Sequence, residues 1–102
     1  MAKTLTPVEA KRLMDSNNNI VVLDIREEEE LIEGYIENSI LLPVNEVEAR
    51  IKDILPTKNT KILTYCRSGK RSIIANEILS KLGYTDVNTF GGIIDWPFDK
   101  IL

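Results

Sequence analysis

Short apolar runs alternate with stretches whose apolar residues recur at helical spacing. Residues 20–24 (IVVLD), 39–42 (SILL), 61–65 (KILTY) and 87–90 (VNTF) read as strands. The first and third are nearly continuous in apolar residues, as expected for strands covered on both faces. Between them lie helical patterns. Thr6-Pro7-Val8-Glu9 opens the first, with Thr6 as N-cap, Pro7 at the first helical position and Glu9 closing a capping box. That helix is expected to run to Met14 and fray over residues 15–19. Residues 27–33 form a short helix stopped by Gly34. Asn45-Glu46-Val47-Glu48 offers a second capping box, followed by Val47, Ile51, Ile54 and Leu55 on one face. Residues 69–82 form the longest helix, with Ile74, Ala75, Ile78, Leu79 and Leu82 at helical spacing and Gly83 as its stop. This alternation predicts an α/β fold around a mostly parallel sheet.

In parallel sheets, ligands gather beyond the carboxyl ends of the strands. Three unusual segments fall there: Asp24-Ile25-Arg26, Cys66-Arg67-Ser68-Gly69-Lys70-Arg71, and Gly91-Gly92. Parallel strands would bring all three to one edge.

Composition narrows the chemistry. The chain has 102 residues, which suits one domain over residues 1–102, and no repeat or linker suggests a boundary. A net charge of −3 argues against nucleic acid as a partner. No apolar run approaches a membrane span, and residues 1–13 lack the apolar core of a secretory signal. A cytoplasmic protein with no membrane partner is the expectation. The single Cys excludes an intrachain disulfide, and the absence of His removes Cys-His and Ser-His-Asp catalysis together with His-bearing zinc sites. No metal and no cofactor is expected.

A reactive cysteine acts as its thiolate and needs electropositive surroundings. Cys66 ends a strand, precedes a helix and is followed closely by Arg67, Lys70 and Arg71. The helix N-terminus adds unpaired N–H groups and a positive dipole end. Ser68-Gly69 lets the backbone curl so that successive N–H groups face one anion. The alternative, a buried inert Cys with solvated cations around it, fits this arrangement less well.

The segment Tyr65-Cys66-Arg67-Ser68-Gly69-Lys70-Arg71-Ser72 resembles the active-site loop of the rhodanese family. Leu23-Asp24-Ile25-Arg26, then Glu30-Leu31 and Gly34-Tyr35-Ile36, resembles the family's upstream signature, and Gly91-Gly92-Ile93 with Trp96 resembles its closing one. The likeness spans residues 21–96. Tyr35 stands where the family usually has His, Leu31 where an aromatic is usual, and Ser39 where Ala is common; these lie outside the loop. The resemblance implies a rhodanese-like sheet of about five strands with helices on both faces. It implies a sulfurtransferase in which Cys66 accepts sulfane sulfur as a persulfide. The backbone of Arg67, Ser68, Gly69, Lys70 and Arg71 would cradle it, while the three cations draw in a small anionic donor such as thiosulfate. A protein donor or acceptor of sulfur is a further partner it allows. Asp24 and Arg26 would sit near the loop and help fix it, either as a structural ion pair or in a direct role, with Arg26 also able to pair with Glu30. Gly91 and Gly92 would let the backbone pass close to the site, and Trp96 would anchor the core nearby.

Two other functions compete. A non-turnover sulfur carrier or interaction module would use the same loop without small-molecule catalysis. A phosphatase or arsenate reductase of related fold places one more residue between Cys and Arg than the four found here. The shorter ring suits a single sulfur atom better than a phosphoryl group.

Overall fold

Residues 3–16 and 19–102 are described by a computed structural model. Five strands form one sheet: β1 (Lys3–Thr4), β2 (Ile20–Asp24), β3 (Ile40–Leu41), β4 (Lys61–Cys66) and β5 (Val87–Gly92). Their spatial order is β1-β5-β4-β2-β3 and every pairing is parallel. Helices α1 (Pro7–Ser16), α2 (Val47–Ile54) and α3 (Lys70–Lys81) cover it.

Side chains alternate across the sheet as the pleat requires. Leu23, Ile25, Ile62 and Val87 point to one face, where Val47 and Ile51 of α2 and Ala75 and Leu79 of α3 close over them. Val22, Leu63, Tyr65 and Phe90 point to the other, packed with Ala10 of α1 and the C-terminal residues Ile93 and Trp96. Helices therefore lie on both faces. No helix among the described residues is long and apolar enough to cross a membrane.

The first capping box forms: the Thr6 N–H donates to Glu9 Oε1 at 2.8 Å, and the Glu9 N–H to Thr6 Oγ1 at 3.1 Å. α1 continues to Ser16, beyond the expected Met14; of the residues expected to fray, Asn17 and Asn18 lie outside the described residues. The short helix after β2 forms as a 3₁₀ helix, Glu28–Glu33, with Gly34 at its C-cap. Other expectations are corrected. The second capping box is absent. Pro43 starts a 3₁₀ turn in which the Glu46 N–H bonds the Pro43 carbonyl at 2.8 Å, so α2 begins later, at Val47. Glu46 instead pairs with Arg50, one helical turn on. Ile74 is half exposed; the buried face of α3 is Ser72, Ala75, Asn76 and Leu79.

Candidate active site

Cys66 is the last residue of β4, the central strand, and is 1% exposed. The chain then loops through Arg67 and Ser68 and turns into α3 at Gly69, whose φ of 103° is a left-handed conformation that glycine adopts without strain. That turn aims the Gly69 N–H at Cys66 Sγ, 3.0 Å away. Ser72, one turn into α3, places its hydroxyl 3.9 Å from the same sulfur.

β5 backs the loop. Thr64 pairs with Thr89 and Cys66 with Gly92, so Phe90 and Gly91 together stand opposite Tyr65. This bulge, with Gly91 at φ 90°, swings Gly92 under the loop. A Cβ on Gly92 would lie 2.1 Å from the Arg67 carbonyl oxygen and 2.6 Å from Ser68 Cα, so only glycine fits. The Ile94 N–H holds that carbonyl at 3.2 Å. The structure thus brings Cys66, Arg67, Ser68, Gly69, Gly91 and Gly92 together.

The three cations differ. Arg71 is gripped through both terminal nitrogens by the Glu30 carboxylate, at 2.7 and 2.8 Å. These bonds hold Glu30 down at about 2 and push the Arg71 guanidinium above its ordinary value, with a smaller contribution from Cys66. Arg67 is largely exposed, with Nε 3.9 Å from Glu33. Lys70 is exposed and makes no ion pair among the described residues.

Asp24 and Arg26 form a fully buried bidentate pair at 2.8 and 2.9 Å. Burial pulls the Arg26 pKa down, but the bonds and charge of Asp24 outweigh it and leave it raised. The expected pairing of Arg26 with the Glu30 side chain is corrected. Arg26 reaches only the Glu30 carbonyl, at 3.3 Å, and the Gly34 carbonyl, at 2.9 Å. Having turned inward to Asp24, it leaves the Glu30 carboxylate to Arg71. Tyr65 completes this cluster. Its hydroxyl donates to Asp24 at 2.9 Å and accepts the Ile36 N–H at 3.1 Å. Burial pushes its phenol up to about 12, so it stays a donor. The pair is a brace between β2 and residues 30–34, and Glu30 carries that brace to the loop. Trp96 is buried against Phe90 and Phe98, with ring centroids 5.0 and 5.1 Å away.

Ser72 closes the loop segment quoted from the sequence but is given no role there, and Thr89 is not singled out. The signal was there: a hydroxyl on the buried side of α3, and two polar residues, Asn88 and Thr89, inside a buried strand. Each such group requires a partner. A cavity of about 430 Å³ lies on the α1 side, lined by Met14, Ile36, Trp96 and Phe98 among others, and no loop residue lines it.

Cys66 thus ends the central strand of a parallel sheet, under a glycine-turned loop at the N-terminus of α3. The family model for the rhodanese-like domain matches residues 6–96. The chain belongs to that family. The thiosulfate sulfurtransferase PspE of Escherichia coli K12 is 37% identical, over 78% of this chain and 76% of its own. A sulfurtransferase of Allochromatium vinosum is 36% identical, over 85% and 79%. The crystal structure of a rhodanese-related protein from Thermoplasma volcanium matches with a TM-score of 0.84 at 34% identity, covering 98% of both chains.

Proposed function

We propose that this protein is a sulfurtransferase that carries sulfane sulfur on Cys66. The observation that supports it most is the 3.0 Å approach of the Gly69 N–H to Cys66 Sγ, inside a loop that turns its backbone toward that sulfur. The names of the two curated relatives point the same way.

The cycle has two halves. The Cys66 thiolate attacks the outer sulfur of thiosulfate; the new S–S bond forms as the old one breaks, and sulfite leaves with its electron pair. Cys–S⁻ and S–SO₃²⁻ become Cys–S–S⁻ and SO₃²⁻. The negative persulfide rests in the field of the N–H groups of residues 67–71 and the α3 dipole. A thiophile then removes the outer sulfur: cyanide gives thiocyanate, while a small thiol or a protein cysteine gives a new persulfide. Arg67 and Lys70 draw in the anionic donor. Arg71, held by Glu30, fixes the first turn of α3 instead.

A carrier relaying sulfur between proteins is the second reading. It is favoured by a relative: the putative sulfur carrier protein YrkF of Bacillus subtilis is 34% identical over 84% of this chain, which spans 46% of that protein. Turnover with thiosulfate and cyanide separates the two. Steady thiocyanate production supports the enzyme, and a single stoichiometric exchange supports the carrier. Cys66→Ser abolishes both, and sulfur transfer by that variant would overturn the assignment.

A further inference from the structure

Two hydroxyls stand in line behind Cys66. Ser72 Oγ, fully buried, lies 3.9 Å from Cys66 Sγ and donates to the Gly69 carbonyl at 2.9 Å. Thr89 Oγ1 on β5 is within donating distance of both Ser72 Oγ, at 2.9 Å, and the Thr64 carbonyl, at 3.1 Å. It also accepts the Gly91 N–H at 3.1 Å. A hydroxyl has one proton to give. The pair therefore has several arrangements, and two of them involve Cys66. In the first, Thr89 serves the Thr64 carbonyl, a protonated Cys66 donates to Ser72 Oγ, and Ser72 donates to Gly69. In the second, Thr89 donates to Ser72 and Ser72 turns its proton onto an anionic sulfur. The Gly69 carbonyl still holds the Ile73 N–H at 3.4 Å, so that turn leaves it paired.

The geometry points to Ser72 as a catalytic hydrogen-bond donor to the departing Cys66 sulfur, with Thr89 as the positioning residue that lets its hydroxyl turn. This rests on the proposed sulfur transfer at Cys66. In the persulfide the charge sits on the outer sulfur. When an acceptor takes that atom, the S–S bond breaks and its electron pair moves to Sγ, the atom Ser72 faces. With cyanide, Cys–S–S⁻ and CN⁻ become Cys–S⁻ and SCN⁻. The Ser72 bond strengthens as discharge proceeds, and only such an interaction accelerates a step. Loading of the thiolate runs the other way: charge leaves Sγ, so loss of Ser72 does not slow it, provided that both halves are followed above the pH at which the loading rate levels off and Cys66 is already ionised.

The test follows the two half-reactions by intact mass. Inorganic polysulfide loads Cys66, giving up one sulfur atom and leaving a shorter chain; excess reagent is removed and cyanide discharges the persulfide. Ser72→Ala is expected to load at the wild-type rate and discharge about tenfold more slowly. Ser72→Thr restores discharge, and Thr89→Val falls between. A general loosening of the loop would slow both halves alike and would not be rescued by threonine. Discharge of Ser72→Ala at the wild-type rate, or equal slowing of both halves, overturns the proposal. If Ser72→Ala does not fold, Thr89→Val decides, and wild-type discharge by it overturns the relay. The lone cysteine makes any mass gain unambiguous. A wild-type chain that takes up no sulfur at Cys66 removes the parent reading as well, and that outcome is visible before any Ser72 variant is examined.

Discussion

Glu30 and Arg71 lie 41 residues apart in sequence yet meet through two parallel bonds of 2.7 and 2.8 Å. This fork ties the turn after β2 to the first turn of α3, and so to the loop that begins at Cys66. It makes Arg71 a strut whose charge still acts on Cys66.

The fork has a pH signature. Glu30 titrates at about 2 in the folded chain against an ordinary 4.5. A depressed carboxylate contributes stability that is fully present above 4.5 and fades as pH falls toward 2. Both side chains are partly solvated, so Glu30→Gln is expected to cost about 1–2 kcal/mol at pH 7. Urea melts at pH 7 and pH 3 check this: the gap between wild type and variant should narrow at the lower pH. A gap that widens on acidification contradicts it.

The Asp24–Arg26 brace is a different case, since no water screens it. Asp24→Asn leaves a buried guanidinium without its counter-charge, which costs about 3–5 kcal/mol. A domain with a total stability of about 5–15 kcal/mol would lose much of it. A fall of under 1 kcal/mol in equilibrium unfolding would show that the pair is not the brace described.

Two adjacent glycines should respond unequally. Gly92→Ala drives a methyl into the Arg67 carbonyl and displaces the loop; sulfur transfer should fall about a hundredfold, as for a misplacement near 1 Å. Nothing lies within 4 Å of a Cβ at Gly91, so Gly91→Ala meets only the strain of φ 90° and should cost about 1–2 kcal/mol with activity largely kept. Matched assays and melts on the two variants test the contrast, and equal losses would refute it.

Arg67 and Lys70 are the cations left facing solvent. Arg67→Gln and Lys70→Gln should each raise KM for thiosulfate by about a few-fold with kcat kept. They should also flatten the dependence of kcat/KM on ionic strength. An unchanged salt dependence would remove both from donor capture.

Much of this was legible in the sequence because it is local or periodic. IVVLD and KILTY read as strands since each is an apolar run of strand length, and Thr6 to Glu9 contains its own cap. The Cys66 loop stood out because cations, glycine and a lone cysteine fall between a strand and a helix. What was hidden depends on tertiary contacts. β1 is two exposed residues, Lys3 and Thr4, made a strand only by pairing with β5. Ile74 has the spacing of a core residue, but the helix face toward the sheet is taken by Ser72 and Asn76, whose polar atoms bond partners on β4 and β5. The resemblance offers Arg26 either an ion pair with Asp24 or the side chain of Glu30, and no local pattern decides between them. The structure buries it on Asp24, two residues away, and gives Glu30 to a helix that no local pattern links to it.

Sulfur uptake at Cys66, on which the proposed function stands, is read without ambiguity by intact mass. Reduced wild-type protein and Cys66→Ser are weighed before and after exposure to thiosulfate, then after cyanide. Persulfide formation at Cys66 gives a gain of one sulfur atom on wild type alone, lost again as thiocyanate appears. Equal gain on Cys66→Ser, or no gain from thiosulfate or any persulfide donor, would contradict it.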